Sequence, residues 1–243
     1  MIDRKYIYLV IVFLFLTIIK FINPPIIQKI SFINYDFYQK VFNRDEVKDV
    51  TIVDIDEKSI AKIGQFPWRR DIYSKILKNL NLHDPKAIAF DIVFSEEDKQ
   101  NPKDLLSKLQ LESDQLIDIE VIDTNKIFIN SIKNSKVILP ILGEPKNNFV
   151  KNNSKPKLRL LAKGENPKNF IYKFKHKIIS LEEISSAASG IGSISLIPSI
   201  DGVIRNVPVL YNIDDKIWPS LALETVRIAT GQKNLLVKSS KNG

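Results

Sequence analysis

From Val50 to Phe94 the chain reads VTIVDIDEKSIAKIGQFPWRRDIYSKILKNLNLHDPKAIAFDIVF, and no other stretch constrains the fold as much. An apolar β-branched run, 50–55, precedes a turn-rich excursion holding Phe66-Pro67-Trp68-Arg69-Arg70. An amphipathic segment, 70–82, then carries Ile72, Ile76, Leu77 and Leu80 on one side, and a second apolar run, 87–94, follows. Strand, helix and strand in that order predict one βαβ unit with parallel strands. The near-continuous first run suits a strand buried on both faces. Asp54 and Asp56 end the first strand and Asp91 lies on the second, where open parallel sheets place their ligand crevice.

What precedes this unit ties it to a membrane. Met1 to Lys5 is a short polar start, and Tyr6 to Ile22 is apolar except for Thr17 and Lys20. A spanning helix needs about 20 residues with a lower limit of about 17, and Lys20 near one end can snorkel to the interface. Asn23-Pro24-Pro25 offers no small-residue cleavage site, so 6–22 reads as an uncleaved signal anchor. Arg4 and Lys5, set against Asp3, predict a cytoplasmic N-terminus, residues 1–5, and an extracytoplasmic domain. Ile26, Ile30, Ile33, Phe37 and Val41 recur at spacings of three and four, which predicts an amphipathic stalk helix over 26–42. It either packs on the domain or pairs with a second copy of the chain.

Beyond the stalk the sequence predicts one domain over 45–231. Asp56 caps a short helix, 57–63, which Gly64 stops. Asp84-Pro85 ends the next helix. Ser95 with Asp98 has capping-box spacing, 102–123 is helix-prone, and Asp123-Thr124 starts a helix with Ile127, Ile129 and Ile132 partly buried. Lys136 to Leu142 is a third strand, in which Pro140 argues for an edge or a bulge. Residues 144–177 read mainly as a Lys-rich loop, with a short strand at 170–174. Ser180 with Glu183 opens a helix that closes at Gly190, and 192–197 is a fourth strand. Asp201-Gly202 is the turn of a hairpin that returns through 203–211. Asp214-Asp215 is another turn, Ser220 caps a helix over 221–230 that Gly231 stops, and 232–243 is a polar tail. The expected architecture is α/β, a mostly parallel sheet with helices on both faces and a late antiparallel hairpin, preceded by one transmembrane helix.

Charge and composition narrow the chemistry. The net charge is +8, and the segment 144–177, with ten Lys or Arg against two Glu, accounts for all of it. A chain basic in one loop lacks the basic face that nucleic-acid binding requires, so no nucleic-acid partner is expected; a solvated loop or a contact with anionic headgroups fits better. There is no cysteine and there are two histidines, which removes disulfides, thiolate sites and a Cys nucleophile and disfavours a His-based metal site. P-loop, dinucleotide and hydrolase motifs are absent.

Three constellations remain. Asp54-Ile55-Asp56 after a strand, with Asp91, resembles the carboxylates of Mg-dependent phosphohydrolases of the haloacid-dehalogenase type. The hydroxyl, lysine and second acidic pair of such enzymes are missing, so pairing of Asp54 and Asp91 with Arg69 or Arg70, and capping by Asp56, is the simpler account. Trp68 and Arg70 could form a stacking and hydrogen-bonding platform, or plug the core and tie down a helix start. Asp201-Gly202 is explained by its turn, which leaves Arg205 unassigned.

Together these landmarks resemble one family, the CHASE2 extracytoplasmic sensory domains of bacterial signalling receptors. The matching residues are Val53-Asp54-Ile55-Asp56-Glu57-Lys58-Ser59, Gly64 with Phe66-Pro67-Trp68 and Arg70, and Ala89-Phe90-Asp91-Ile92-Val93-Phe94-Ser95-Glu96. Gly192, Pro198, Ile200-Asp201-Gly202-Val203, Arg205 and Pro219-Ser220-Leu221-Ala222-Leu223-Glu224 follow in order. Arg69 and Ser199 depart from the usual pattern, and a Ser199 in place of an acid affects any ligand transfer. The resemblance implies a receptor module that is not an enzyme, with no catalytic residues, metal or cofactor to carry over. It implies an unknown periplasmic or extracellular signal, and either a truncated receptor or a free-standing anchored sensor. Asp54, Asp56, Trp68, Arg70, Asp91, Asp201 and Arg205 are the expected ligand-binding positions. A Mg-dependent phosphohydrolase using Asp54 and Asp56, or an anchored interaction domain without a small ligand, are the alternatives.

Overall fold

A computed structural model describes residues 4–42, 49–108, 122–145 and 152–240 of the chain. The expectations for residues 1–3, for the start of the domain at residue 45 and for the part of the helix-prone stretch at 109–121 lie outside the described residues, as do 146–151 and 241–243. The chain divides into two compact units, Met1–Ile55 and Asp56–Gly243.

The first unit is two helices and an extended end. Helix α1, Arg4–Ile22, is 19 residues long with a mean hydropathy of 2.2, enough to cross a membrane by length and composition. Its one threonine, Thr17, is satisfied within the helix by donating to the Phe13 carbonyl at 2.8 Å. Helix α2, Pro25–Val41, starts with Pro25 in the first turn, where a missing N–H leaves nothing unpaired. Ile26, Ile30, Ile33, Phe37 and Val41 are all exposed along it. The run 50–55 is not a strand: it has no ladder partner, and Ile52 is 88% exposed. β-branched residues favour a pleated backbone, but a strand forms only where a neighbour accepts and donates along it.

In the second unit, helix α3, Glu57–Ile63, is capped by Asp56, whose Oδ1 accepts from the Ser59 amide at 2.9 Å and hydroxyl at 2.6 Å. Gly64 leaves it at a φ of +115°, a conformation other residues rarely adopt. Helix α4, Arg70–Asn81, buries Arg70, Tyr73, Ser74 and Leu77, one face at i, i+3, i+4, i+7. Ile72, Ile76 and Leu80 are only half-buried; Tyr73 and Leu77 are the fully buried side chains of the face, and Tyr73 meets helix α6, Thr124–Lys133, at Phe128. Tyr73 sits 5.1 Å from Phe94 and 5.8 Å from Phe128, centroid to centroid, and Phe94 is 4.9 Å from Phe128. Phe128, not Ile127, is therefore the buried anchor of α6.

The first sheet is built on β2, Val137–Glu144. On one edge it pairs in parallel with β6, Gly190–Ser193. Its other edge takes β1, Ile88–Ala89, in parallel and then β5, His176–Ile179, antiparallel. The carbonyls of Lys136 and Ile138 bond β1, whereas those of Val137 and Ile141 bond the β6 side. Pro140 thus faces the β1 edge at the point where Phe90 has made the last parallel bond and β5 has yet to begin. Its missing N–H ends β1 two residues after it starts, which shortens the strand expected over 87–94. The same geometry corrects the expectation for Pro140: its strand is central, and the proline sits where two partners meet end to end.

Two smaller sheets stand beside the first, where a single sheet was expected. Strands β4, Tyr172–Phe174, β7, Leu210–Ile213, and β8, Lys216–Pro219, form a sheet in which β4 and β7 are parallel and β7 and β8 form an antiparallel hairpin. The hairpin turn is Asp214-Asp215, both at positive φ. Asp201-Gly202 is a tight turn, with Ser199 and Val203 bonded across it, but no ladder extends from it. Strands β3, Arg159–Gly164, and β9, Asn234–Ser239, pair in parallel over six residues. The Lys-rich segment, expected to be mainly loop, therefore contributes strand β3, and the tail expected to be polar is its partner. Each holds a short apolar run, Leu160-Leu161-Ala162 and Leu235-Leu236-Val237, and the two stabilise each other through backbone bonds between distant segments.

Helix α5, Pro102–Lys108, helix α7, Glu182–Ala187, and helix α8, Leu221–Ala229, complete the unit. Ser180 does not cap α7; its hydroxyl accepts from the Phe94 amide at 3.0 Å. Ser220 does cap α8, accepting from the Leu223 amide at 3.1 Å. Gly192 brings α8 onto β6: a Cβ there would stand 2.5 Å from Leu221 Cα. Ile141, Ile179, Ile191, Tyr211, Ile213 and Trp218 form the core joining these strands.

Candidate functional site

The start of α4, the segment 96–101, and the first turns of α5 and α6 share one buried polar network. Asp98, 7% exposed, is its hub. Its Oδ2 accepts from the Arg70 amide at 2.9 Å and the Thr124 hydroxyl at 2.7 Å, and its Oδ1 accepts from the Gln100 amide at 3.0 Å. A carboxylate at a helix start satisfies an orphan amide and favours the helix dipole. Asn101 continues the network: its Oδ1 accepts from the Thr124 amide at 3.1 Å, and its Nδ2 donates to Asp104 at 2.9 Å. Asp123 caps α6 through the Lys126 amide at 3.1 Å and pairs with Lys103 at 3.1 Å. Burial pushes the Asp123 carboxyl up, but the Lys126 amide and the Lys103 ammonium outweigh it and hold it below the usual range. The hydrogen bond to Asp123 holds Lys103 above its ordinary value.

This network borders a cleft of about 820 Å³ that opens between α5, α6 and α7, within the size range of small-molecule sites. Lys126, Ile129, Asn130 and Lys133, one face of α6, form one wall, and Glu182, Glu183 and Ser186 of α7 form another. The lining is unusually polar for a ligand site, so what fits it carries charge.

Arg70 lies behind the network. Its Nη2 donates to the Glu96 carbonyl at 2.8 Å and its guanidinium carbon stands 4.4 Å from the Phe94 ring centroid, a cation–π contact. Burial pushes its pKa down, against the opposing charge of Asp98. Trp68 is buried, with its indole N–H donating to the Gly64 carbonyl at 2.7 Å. Arg69 forks onto Asp71 at 2.6 and 2.9 Å. The expected pairing of Arg69 or Arg70 with Asp91 is thus corrected, since Arg69 is held by Asp71 next to its own helix start and Arg70 by the Glu96 carbonyl. Asp91 is exposed, with no hydrogen bond or ion pair among the described residues, and Asp54 is an exposed residue of the first unit. Asp56 turns its Oδ1 back onto the Ser59 amide and hydroxyl, as a helix cap. Among the described residues no three His, Asp or Glu side chains converge as a metal site.

Asp201 and Arg205 form their own fork, at 2.9 and 2.8 Å, and that hydrogen bond lowers the Asp201 pKa. Of the seven expected positions, the structure thus joins Asp201 to Arg205 and gathers Trp68 and Arg70 around the aromatic cluster. Asp98, Asn101, Thr124 and the α6–α7 walls were not foreseen. The available signals were Asn101-Pro102 and Asp123-Thr124, two helix-start pairs, but each reads as a local cap, and the bonds that join them, from Asn101 to Asp123 and Thr124 and from Asp98 to Thr124, span 22 to 26 residues.

A family model for the CHASE2 domain matches residues 9–241, and the chain belongs to that family. CHASE2 domains are extracytoplasmic sensory domains, and with one N-terminal apolar helix the chain fits a single-span membrane protein. No curated protein and no solved structure matches the chain.

Proposed function

We propose that this chain is the signal-sensing module of a bacterial transmembrane receptor, with residues 1–5 cytoplasmic and the α/β domain outside the membrane. Its signal binds in the cleft between α5, α6 and α7 and is relayed through the stalk helix α2, which pairs with α2 of a second copy. The observation that carries this reading is membership of a sensory family combined with a polar cleft bordered by a buried network that ties together the starts of three helices. A ligand that changes the spacing of α6 and α7 biases that network, which is what a sensor requires of its site. Trp68 and Arg70 act from behind the cleft as scaffold, Asp56 as a cap, and Asp201 with Arg205 as a turn clasp. The a/d-like spacing of Ile26, Ile30, Ile33 and Phe37, all exposed, supports the stalk pairing.

The chain has no cysteine, so a single cysteine at Ile33 reports stalk pairing by disulfide cross-linking of the full chain in lipid vesicles. Filling the cleft with Ser186→Trp changes the cross-linking yield at least twofold. Equal yields with and without the tryptophan, or no cross-linking in either, would sink the relay.

A further inference from the structure

We infer that the cleft takes a small zwitterion, an amino acid or short peptide, holding its carboxylate on the α6 lysines and its ammonium on the α7 glutamates. This rests on the cleft being the signal site. Lys126 and Lys133 lie on one face of α6, about two turns apart, Glu182 and Glu183 lie in the first turn of α7, and all four line the cleft. Opposite charges on facing walls normally close into ion pairs. Here none of the four makes an ion pair or hydrogen bond from its side chain among the described residues. The gap between the walls therefore leaves two ammonium groups and two carboxylates for a guest to bridge.

The other ligand classes fit less well. Carboxylates outnumber ammonium groups along the lining by five to three, which opposes a simple anion. The lysines among them oppose a divalent cation or a polyamine, and no three carboxylates converge as a metal site among the described residues. An apolar ligand would leave charged walls desolvated without partners. A guest with separated charges of both signs satisfies both walls. Lys103 and Asp123, already paired at 3.1 Å, stay with the network and do not compete for the guest.

The test is calorimetric titration of the full chain in detergent at pH 7 with glycine, triglycine, glutarate, putrescine and N-acetylglycinamide. Triglycine or glycine binds, and whichever is tighter distinguishes a peptide from a free amino acid; the three non-zwitterions bind at least tenfold more weakly. Lys126→Gln with Lys133→Gln, both exposed, weakens zwitterion binding about tenfold, the scale of one lost charge-assisted hydrogen bond, and lets putrescine gain. Glu182→Gln with Glu183→Gln does the same and lets glutarate gain. A loss of zwitterion binding without this inversion of selectivity would reflect damage to the fold and overturns the inference. Preferred binding of glutarate or putrescine to the unaltered chain overturns it while leaving the sensing cleft in place, and so does no binding by any of the five. The stalk cross-linking response to Ser186→Trp is independent of ligand identity, so the two readings fail separately.

Discussion

Asp98 carries more of this domain than its position in a polar run suggests. Its carboxylate receives two backbone amides and one hydroxyl at 2.7 to 3.0 Å, and an alanine there would leave those donors buried and unpaired. Each such group costs about 1–3 kcal/mol, so Asp98→Ala lowers the urea unfolding free energy by roughly that amount for each donor left without water. Thr124→Val, which removes one bond and keeps the shape, costs about 1 kcal/mol. The carboxyls of Asp71, Asp123 and Asp201 are held below their ordinary value in the fold, the first and last by fork bonds from Arg69 and Arg205. A depressed folded pKa contributes stability that is complete above the unfolded pKa of about 4 and drains away as pH falls through the lower folded values. Unfolding midpoints measured from pH 6 to pH 2 therefore hold steady down to about pH 4 and fall below it. A midpoint that instead falls between pH 6 and pH 5 would point to other groups.

At the scale of elements, helix α8 shows how closely the second unit is packed. A Cβ at Gly192 would meet the α8 backbone at 2.5 Å, and one at Gly190 would meet the Glu224 side chain at 2.6 Å. Gly192→Ala must displace α8 from β6, whereas Gly202→Ala finds open space and strains only the turn at a φ of +80°, a cost of about 1 kcal/mol. Thermal unfolding thus drops further for the first than for the second; the reverse order would show that α8 yields easily. Glu224, fully buried, forks onto Arg227 at 2.7 Å on both arms. Glu224→Gln leaves the arginine without its charge partner and costs about 3–5 kcal/mol, read by denaturant titration. Helix boundaries were largely legible in the chain, because Asp56, Gly64, Asp123, Ser220 and Gly231 act on their own neighbours. Strand boundaries were not: whether 50–55, 87–94 or 203–211 becomes a strand depends on a partner elsewhere. Pro140 shows the limit most clearly, since the effect of its missing N–H depends on which strand faces it.

For the molecule as a whole, the pairing of β3 with β9 closes a loop between residue 159 and residue 239 through six parallel pairs. Ending the chain at Lys233 removes β9, frees the β3 edge, and speeds proteolysis within 159–164 if this pairing protects the segment; an unchanged cleavage rate would show that β3 is held by other contacts. The amino-acid sequence by itself determined the apolar N-terminal helix, the amphipathic stalk, most caps and turns, and membership of a sensory family. These rest on residues close together in the chain or on motifs in a fixed order. Only the tertiary structure decided that the sheet divides into three, that part of the Lys-rich segment and the tail pair as strands, and that Arg70 answers to Asp98 and Glu96 rather than to Asp91. It also placed the cleft walls of α6 and α7 opposite each other. The physical reason is the same in each case: a hydrogen bond, an ion pair or a cavity wall needs a second group, and the position of that group is set by the fold and not by its neighbours in the chain.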